Sequence, residues 1–338
     1  MPRETRKDGA LALPDAPLIS VIIATHDRLQ LLLDCVASVC KGSYPSFEVL
    51  VVDQDASGRA GAALQARFLN GEPIRYFILP NAGASQARNL GLRQSRGEVV
   101  AFIDDDALAG DGWLAAVHHA FVNREQDVQL VAGRIQPIWP SNRPNWLPRE
   151  REFLLGLYNI GDSFCELPPQ DQPISANMAA RRELILRLGG LEERLGPNHF
   201  RKRTMITGED TLLGLRAREA GYSLFYEPEM LVYHRISRKK VKRSHFLRRQ
   251  FWEGVTVVAE MAITQGFDAR IYPHGKSHAR EIVDSAARFL LPRFRKNYDL
   301  PSEEIRMLAL CRAAFSAGVI YGLKTVKPEI ARSRPKCA

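Results

Sequence analysis

Three consecutive aspartates, Asp104, Asp105 and Asp106, directly follow an apolar run at residues 99–103. The run predicts a buried strand, because it is short, apolar and bounded by Gly97 on one side and by charge on the other. Clustered carboxylates are costly, since each raises the free energy of ionising the next. A divalent cation relieves that cost, and oxygen ligands suit Mg²⁺ or Mn²⁺. Such sites complete their shell with phosphates and water, so the motif predicts a diphosphate-bearing substrate held through a metal; a solvated acidic loop is the alternative.

Apolar runs and helical patterns alternate through the first third of the chain. Strands are predicted at residues 18–24, 47–53, 74–79 and 99–103, and helices at 29–40, 58–70 and 84–95. This alternation is typical of a mostly parallel sheet flanked by helices, in which ligands bind at the carboxyl ends of the strands. Polar clusters follow three of these strands, at residues 25–28, 53–55 and 104–106. We therefore expect an α/β fold with one functional edge.

The composition is that of a globular protein from a reducing compartment. The 338 residues are 45% hydrophobic, which is ample for one large domain with an extension or for two smaller domains. The five cysteines are odd in number and include no C-x-x-C pair, which argues against a disulfide framework and a structural zinc. Residues 1–17 are basic without a following apolar stretch, and they predict a flexible tail rather than a signal peptide. No run of about 18 uninterrupted apolar residues occurs, so we expect a cytoplasmic protein without a spanning helix.

Two later segments carry less regular signals. Residues 136–173 contain seven prolines together with Trp139, Trp146 and Tyr158, and they show little periodicity. A mobile substrate loop and a rigid packed excursion with core tryptophans are both consistent with that composition. Farther on, Glu209 and the following aspartate precede a helical pattern at residues 212–221, where the helix dipole favours ionised carboxylates; simple capping is the alternative.

The C-terminal region is basic. Residues 235–249 hold eight Lys or Arg and no acid, and the apolar segment 307–321 suits a core helix or an interfacial helix. A net charge of +9 raises the possibility of a nucleic-acid-binding protein, but no nucleic-acid module is recognisable and we expect no nucleic-acid partner. An anionic membrane surface is one partner that we expect for the basic segment, with the protein peripheral on the cytoplasmic face. The alternative is a solvated basic face, or one that pairs with acidic residues of the catalytic domain.

Taken in order, the motifs resemble glycosyltransferase family 2 enzymes of the GT-A fold. The matching segments are residues 20–28, 51–57, 81–91, 102–106, 176–182, 189–191, 208–210 and 226–234. The resemblance implies a Rossmann-like, mostly parallel sheet flanked by helices, with a helical C-terminal extension. It suggests a flexible tail at 1–17, a catalytic domain at 18–236 and a basic, mostly helical region at 237–338.

The resemblance also implies how the donor nucleotide is bound. Thr25 and Asp27 correspond to contacts with the base and ribose. Asp53 resembles the carboxylate that accepts a hydrogen bond from the base, and Arg88 resembles the basic residue that closes over the nucleotide. The family commonly has Tyr-Asn at positions 26–27 and paired aspartates at 53–54, where this chain has His-Asp and Asp-Gln. UDP is the expected nucleotide, with deoxythymidine and guanosine diphosphates as alternatives.

The same resemblance assigns the chemistry. Asp104 and Asp106 match the D-x-D pair, with Asp104 toward the donor and Asp106 as the ligand of Mn²⁺ or Mg²⁺. Asp105 is the variable middle position, expected to point away or make a structural bond. Asp210 resembles the catalytic base of inverting members. His234 lies where many such enzymes have a histidine near the metal, although a core or surface histidine is about as common.

The acceptor is expected to be a hydroxyl of a glycan, a lipid-linked sugar or a small molecule. Four residues are expected on the acceptor side, namely Trp139, Trp146, Asn177 and Glu209. The alternatives are a nucleotide-binding homologue without transfer activity, a nucleotidyltransferase and a nucleic-acid-binding protein. The nucleotidyltransferase has little support, because the chain contains no G-x-x-x-x-G-K-[ST] loop.

Overall fold

A computed structural model describes residues 17–68, 73–122, 127–197, 204–264 and 302–326, together with Ile282. Nearly all of the expected N-terminal tail and part of the expected C-terminal helices lie outside these residues. Within them, nine strands form one sheet. The strands are β1 Ile19–Thr25, β2 Phe47–Asp53, β3 Ile74–Ile78, β4 Val99–Ile103, β5 Ala107–Ala109, β6 Leu130–Ile138, β7 Cys165–Glu166, β8 Asn177–Arg181 and β9 Leu224–Arg235.

The sheet is mostly parallel, as the sequence predicts. Its order is β3-β2-β1-β4-β8-β6-β9-β5, with β7 pairing β9 outside this path. The antiparallel members are β5, β7 and β8. The helices are α1 Leu29–Cys40, α2 Arg59–Arg67, α3 Ala84–Gln94, α4 Trp113–Val122, α5 Arg182–Arg187, α6 Glu209–Glu219, α7 Arg243–Thr264 and α8 Ser302–Thr325, with a 3-10 helix at Arg149–Leu155. The α/β class and the helical C-terminal extension are therefore confirmed.

The strand pattern separates two apolar layers. Along β1, Ile19 and Val21 pack into a core with the buried face of α1, while Ile22 packs on the opposite face with Leu92 of α3. Successive side chains of a strand point to opposite faces, so a continuous apolar run is what a strand covered on both sides requires. This two-sided burial holds the central strands rigidly and fixes the edge where they end.

The carboxyl ends of β1, β2 and β4 meet at one edge, as expected. Thr25 and Asp53 are register partners at the ends of β1 and β2, and β4 runs parallel to β1 on its other side. The aspartates at 104–106 form the turn between β4 and β5. Ala107 in β5 pairs with His234 in β9, so this pairing brings a distant part of the chain to the acidic turn.

The segment 136–173 is a packed excursion. Its buried leucines are Leu147, Leu154, Leu155, Leu157 and Leu167. The ring of Trp146 meets that of Phe246 in α7 edge-on, with centroids 5.5 Å apart. Trp139 is partly buried against the same core. Of the two interpretations of this segment, the burial pattern supports the rigid one.

Two long helices, α7 and α8, pack closely at the C-terminal end of the described chain. A β-carbon at Gly318 would overlap the carbonyl oxygen of Phe251, and one at Gly254 would overlap that of Phe315, so glycine is what allows this approach. In the described residues one helix, 303–325, is long and apolar enough by length and composition to cross a membrane, and half of its most apolar window is buried. The core helix of a globular domain meets the same criteria, so the expectation of a chain without a spanning helix stays a prediction.

Candidate functional site

The middle aspartate of the acidic turn is held by its neighbours. Asp105 accepts hydrogen bonds from the Thr25 hydroxyl at 2.7 Å and from Arg28 Nη1 at 2.9 Å. Burial raises the pKa of Asp105 to about 6, against the lowering effect of the Arg28 charge. Asp105 thus makes a structural bond, as expected. The Thr25 hydroxyl, expected from the sequence to contact the nucleotide, donates to this carboxylate.

Cationic groups and a histidine surround Asp106. Its Oδ1 lies 3.1 Å from His234 Nε2, and its Oδ2 lies 3.2 Å from Arg28 Nη1 and 3.6 Å from Lys240 Nζ. Burial alone would raise the pKa of Asp106, but the hydrogen bond from His234 and the nearby positive charges hold it below its usual range. The carboxylate is therefore ionised although it is buried.

Asp104 is linked through two ion pairs to the first residue of α6. Arg88 Nη2 lies 2.7 Å from Asp104 Oδ1, and Arg88 Nη1 lies 2.9 Å from Glu209 Oε1. Arg88 is itself buried, so its guanidinium is held between two carboxylates. Burial raises the pKa of Glu209 to about 7, with a further rise from the Asp210 charge and an opposing effect of Arg88. Glu209 is only 3% exposed, so the expectation that it meets the acceptor was wrong: it anchors Arg88.

The acidic turn and β9 together offer a set of metal ligands. Asp104, Asp106 and His234 each present one ligand atom, and these atoms lie within 4.8 Å of one another. His234 is buried, and its Nδ1 has no hydrogen-bond partner among the described residues. Two carboxylates and an imidazole suit a divalent ion such as Mn²⁺, which accepts both oxygen and nitrogen ligands. The residues present therefore fit the metal that the sequence predicts.

A pocket beside the acidic turn lies at the ends of β1 and β2. It is lined by Thr25, Asp27, Arg28, Leu29, Asp53, Asp55, Arg59 and Ala60. Arg59 crosses the pocket, with Nη2 at 2.8 Å from Asp27 Oδ1 and 3.3 Å from Asp55 Oδ2. Asp27 adopts a φ of 52°, a left-handed conformation that aspartate tolerates better than most residues. The pocket brings together the residues expected to contact base and ribose.

Asp53 is fixed inside this pocket before any ligand arrives. Its Oδ1 accepts from the Asp55 amide at 2.9 Å, and its Oδ2 accepts from the Tyr76 hydroxyl at 2.7 Å. Burial and the hydrogen bond to Asp53 raise the pKa of Tyr76, so the phenol stays a donor. Each carboxylate oxygen can accept a second hydrogen bond. Asp53 can therefore hold its orientation and still accept from a ring N–H.

The expected base lies at the start of α6. Gly208 occupies the position before the helix in a left-handed conformation, with φ of 102°. Asp210 is half-buried; its Oδ2 accepts from the Ser175 amide at 2.9 Å and its Oδ1 from the Thr211 amide at 2.9 Å. One donor belongs to the first turn of α6 and the other to the segment before β8, so both carboxylate oxygens are held in place. The predicted position of Asp210 at a helix start is confirmed.

Asn177 is a structural residue, and the expectation that it lies on the acceptor side was wrong. It is 0% exposed. Its Oδ1 accepts from the Trp113 indole at 2.9 Å, and its Nδ2 donates to the carbonyls of Arg134 at 2.8 Å and Met230 at 2.6 Å. These bonds join β8 to β6 and β9 at the place where the β6–β9 register shifts. The amide has a structural task and cannot reach a substrate.

The ring of Trp146 is partly covered by neighbouring side chains, which leaves less of it available to an acceptor. The Arg243 guanidinium lies over its ring, 5.9 Å from the ring centroid, in addition to the contact with Phe246 described above. Sequence reasoning gave no role to Arg28, Arg59, Tyr76 or Lys240. Arg28 lies in the family-like segment 20–28 and could have been found there. Lys240 was counted only as part of the basic stretch 235–249.

Strand-end carboxylates with a possible metal-ligand set thus lie beside a pocket at one edge of a mostly parallel sheet. The sequence profile described as "Glycosyl transferase family 2" matches residues 20–189. That span is half of the chain. The protein therefore belongs to glycosyltransferase family 2, and it is a glycosyltransferase.

Relatives of known name agree with this assignment. Over 317 residues the chain is 23% identical to "Glucosyl-dolichyl phosphate glucuronosyltransferase" of Haloferax volcanii, covering 91% of this chain and 96% of that protein. The mannosyltransferase PcManGT of Pyrobaculum calidifontis, solved with GDP-Man and Mn²⁺, superposes with a TM-score of 0.61 at 19% identity, over 91% of this chain and 88% of that one. GalNAc-T7, solved with UDP, GalNAc and Mn²⁺, gives a TM-score of 0.52 at 15% identity, over 85% and 59%. The two structures support the GT-A fold.

Proposed function

We propose that the enzyme is an inverting, metal-dependent transferase that moves a sugar from a nucleoside diphosphate to a hydroxyl of a lipid-linked glycan. One observation carries the proposal most strongly. Arg88 joins Asp104 of the acidic turn to Glu209, which is the residue before Asp210. The donor turn and the expected base are thereby held in one rigid network, as a reaction between donor and acceptor requires.

Asp104, Asp106 and His234 would hold the metal, which supplies positive charge to the leaving diphosphate. Arg28 stabilises the turn by pairing with Asp105 and Asp106. Asp210 takes the proton of the acceptor hydroxyl while the oxygen of that hydroxyl bonds to the anomeric carbon. The bond from that carbon to the phosphate oxygen breaks, and its electron pair leaves with the nucleoside diphosphate. Attack from the face opposite the leaving group inverts the anomeric carbon.

The donor is proposed to be a UDP-sugar. Asp53, oriented by Tyr76 and the Asp55 amide, is placed to accept a hydrogen bond from a ring N–H. A guanosine diphosphate sugar is the second candidate, since a guanine ring also offers an N–H, and the PcManGT structure holds GDP-Man. The lipid-linked acceptor is proposed because the Haloferax volcanii relative, similar along nearly its whole length, is named for a dolichyl phosphate substrate.

A donor screen tests the proposal. Purified protein is incubated with UDP-, dTDP- and GDP-sugars in Mn²⁺, in Mg²⁺ and in excess EDTA, and released nucleotide is measured. We expect slow hydrolysis of one nucleotide class, with metal only. NMR of the transfer product should then show an anomeric configuration opposite to that of the donor. Hydrolysis that continues in EDTA would refute metal dependence, and retained configuration would refute inversion.

We also propose that the C-terminal region docks on an anionic membrane. Part of the basic stretch is used inside the protein: Arg235 pairs with Asp34 at 2.8 Å and Arg249 with Glu253 at 2.7 Å. Arg243 pairs with Glu303 at 3.0 Å. The other exposed basic residues of the stretch are Arg238, Lys239, Lys242 and Arg248. Near an anionic leaflet each contributes up to about 1 kcal/mol. A surface of this charge would bring the site to a lipid-linked acceptor.

Liposome sedimentation tests the docking. We expect binding to vesicles with anionic lipid, release by salt, and weaker binding when Arg238, Lys242 and Arg248 are replaced by Gln. A matched control replaces three exposed basic residues elsewhere, Lys41, Arg93 and Arg96, by Gln. Lys240 stays unchanged in both, because it faces Asp106. Equal recovery with neutral and anionic vesicles would leave the segment without a membrane role.

A further inference from the structure

One lysine of the basic stretch points into the candidate metal site. Lys240 lies in the turn between β9 and α7, where its amide donates to the Ser237 carbonyl at 2.9 Å. Its Nζ is 3.2 Å from His234 Nε2 and 3.6 Å from Asp106 Oδ2. The neighbouring Lys239 is exposed. The turn therefore directs one of two adjacent lysines onto the carboxylate and imidazole that would bind a metal.

The ammonium group and a divalent cation need the same partners. Asp106 and His234 supply two of the three ligand atoms in the candidate set. His234 Nε2 has one site, so it cannot donate to Asp106, accept from Lys240 and bind a metal together. Two positive charges at so short a range also repel each other strongly. Lys240 must therefore move away when the metal binds.

Arg28 differs from Lys240 in this respect. Arg28 also contacts Asp106, but it has a shorter ion pair to the buried Asp105 at 2.9 Å that anchors it. Among the described residues, Lys240 Nζ is within ion-pair distance of Asp106 alone. Displacement of Lys240 costs less, and its flexible four-carbon stem keeps the charge within reach of the site.

We propose that Lys240 is a tethered cation that balances Asp106 in the metal-free enzyme and moves onto the donor diphosphate when metal and donor bind. The inference rests on the proposed function, because the diphosphate is the anion that arrives with the metal. Lys240 then has opposite effects on the two ligands: it competes with the metal alone, and it strengthens binding of the diphosphate once the metal is present. A lysine that merely packs beside the site would have neither effect.

The test uses Lys240→Met, which keeps much of the stem and removes the charge, and Lys239→Met as the adjacent exposed control. Mn²⁺ binding without nucleotide is measured by electron paramagnetic resonance of the free ion. Binding of UDP, GDP and inorganic pyrophosphate in saturating Mn²⁺ is measured by calorimetry. Pyrophosphate has no base or ribose, so it reports the diphosphate contact alone. Melting temperatures of both variants verify that they are folded.

We expect Lys240→Met to tighten Mn²⁺ binding by about fivefold and to weaken pyrophosphate and nucleotide binding by about fivefold, as fits one part-exposed ion pair. Lys239→Met should change neither. Unchanged or weaker Mn²⁺ binding by Lys240→Met would overturn the competition, and unchanged pyrophosphate binding would overturn the contact with the diphosphate. Wild-type protein that binds neither Mn²⁺ nor any of the three anions would refute the proposed function, and the inference with it.

Discussion

The two acidic edges of the site differ in how their charge is balanced. At the donor edge, Asp105 and Asp106 share Arg28, and Asp106 also meets His234 and Lys240. At the edge between α6 and α7, the acids are Glu209, Asp210, Glu253 and Glu260, with Arg88 and Arg249 as their cationic partners. At the donor edge the carboxylates are paired with cationic groups, whereas at the second edge the carboxylates outnumber the cationic groups.

This difference is visible in the pKa values of two acids at the second edge. Burial raises the pKa of Glu260 to about 8, with added effects of Glu253, Asp210 and Glu209. The raised pKa of Glu209, about 7, has the Asp210 charge among its causes. Both shifts have the crowding of acids at this edge among their causes, while Asp210 accepts hydrogen bonds from two backbone amides. In the proposed mechanism, donor binding and proton abstraction use different edges.

The largest effect is expected from a substitution at the donor edge. Asp106→Asn removes a charged ligand and should lower transfer by at least about 10³-fold, because charge on the leaving diphosphate is then poorly neutralised. The fold should persist, since the residue is in a turn at the end of β4. Steady-state transfer and melting temperature measure the two effects. Asp111→Asn, at an exposed position, is the control and should behave as wild type; full turnover by Asp106→Asn would refute the metal role.

Asp210→Asn breaks the other edge. Asn can keep an oxygen toward the Ser175 amide but cannot accept the proton, so kcat should fall by about 10²–10³-fold. The nucleotide Kd measured by calorimetry should stay within about twofold of the wild-type value, because the base acts mainly in the transition state. Glu219→Gln, at the exposed end of the same helix, controls for the charge change. Loss of nucleotide binding in step with kcat would show that Asp210 serves the donor edge.

Substitutions of Trp146 distinguish a packing role from a role in acceptor binding. The ring contacts Phe246 and lies under Arg243, so Trp146→Ala should lower the free energy of unfolding by about 2 kcal/mol through lost contacts. Trp146→Phe should recover most of that loss. Chemical denaturation and the acceptor KM are measured on both variants. A raised acceptor KM with unchanged stability would instead support the acceptor-side role expected from the sequence.

The smallest expected effect concerns the pH dependence of stability. The pKa of Glu260 is raised from 4.5 to about 8, so the folded state binds this proton more tightly than the unfolded chain does. Its stabilising contribution is complete below pH 4.5 and is lost as pH rises through about 8. Glu260→Gln should therefore raise stability at pH 8 relative to wild type, by an amount on the order of 1 kcal/mol, and less at pH 5. Exposed Glu229→Gln is the control; an equal effect of Glu260→Gln at both pH values would contradict the assignment.

The sequence predicts the donor edge better than the second edge, for a physical reason. Strand 99–103 and its acidic turn are local features, and a parallel sheet brings such strand ends together regardless of detail. The contact of His234 with Asp106 depends on the pairing of Ala107 with His234 across more than a hundred residues, which no local pattern encodes. Asn177 lies in a family motif, yet its amide serves β-strand packing. Lys240 could not be separated from its basic neighbours, because the direction of a side chain in a turn depends on tertiary contacts.

The interdependence of metal and diphosphate tests the account most directly. Melting temperatures are measured for wild type and Asp106→Asn with no ligand, with Mn²⁺, with UDP or GDP, and with Mn²⁺ and nucleotide together. The account predicts that in wild type the combined rise exceeds the sum of the separate rises for at least one nucleotide, since each ligand completes the site of the other. It also predicts that Asp106→Asn loses this excess. A rise with nucleotide that is the same in EDTA as in Mn²⁺, or that Asp106→Asn retains in full, would contradict the central claim.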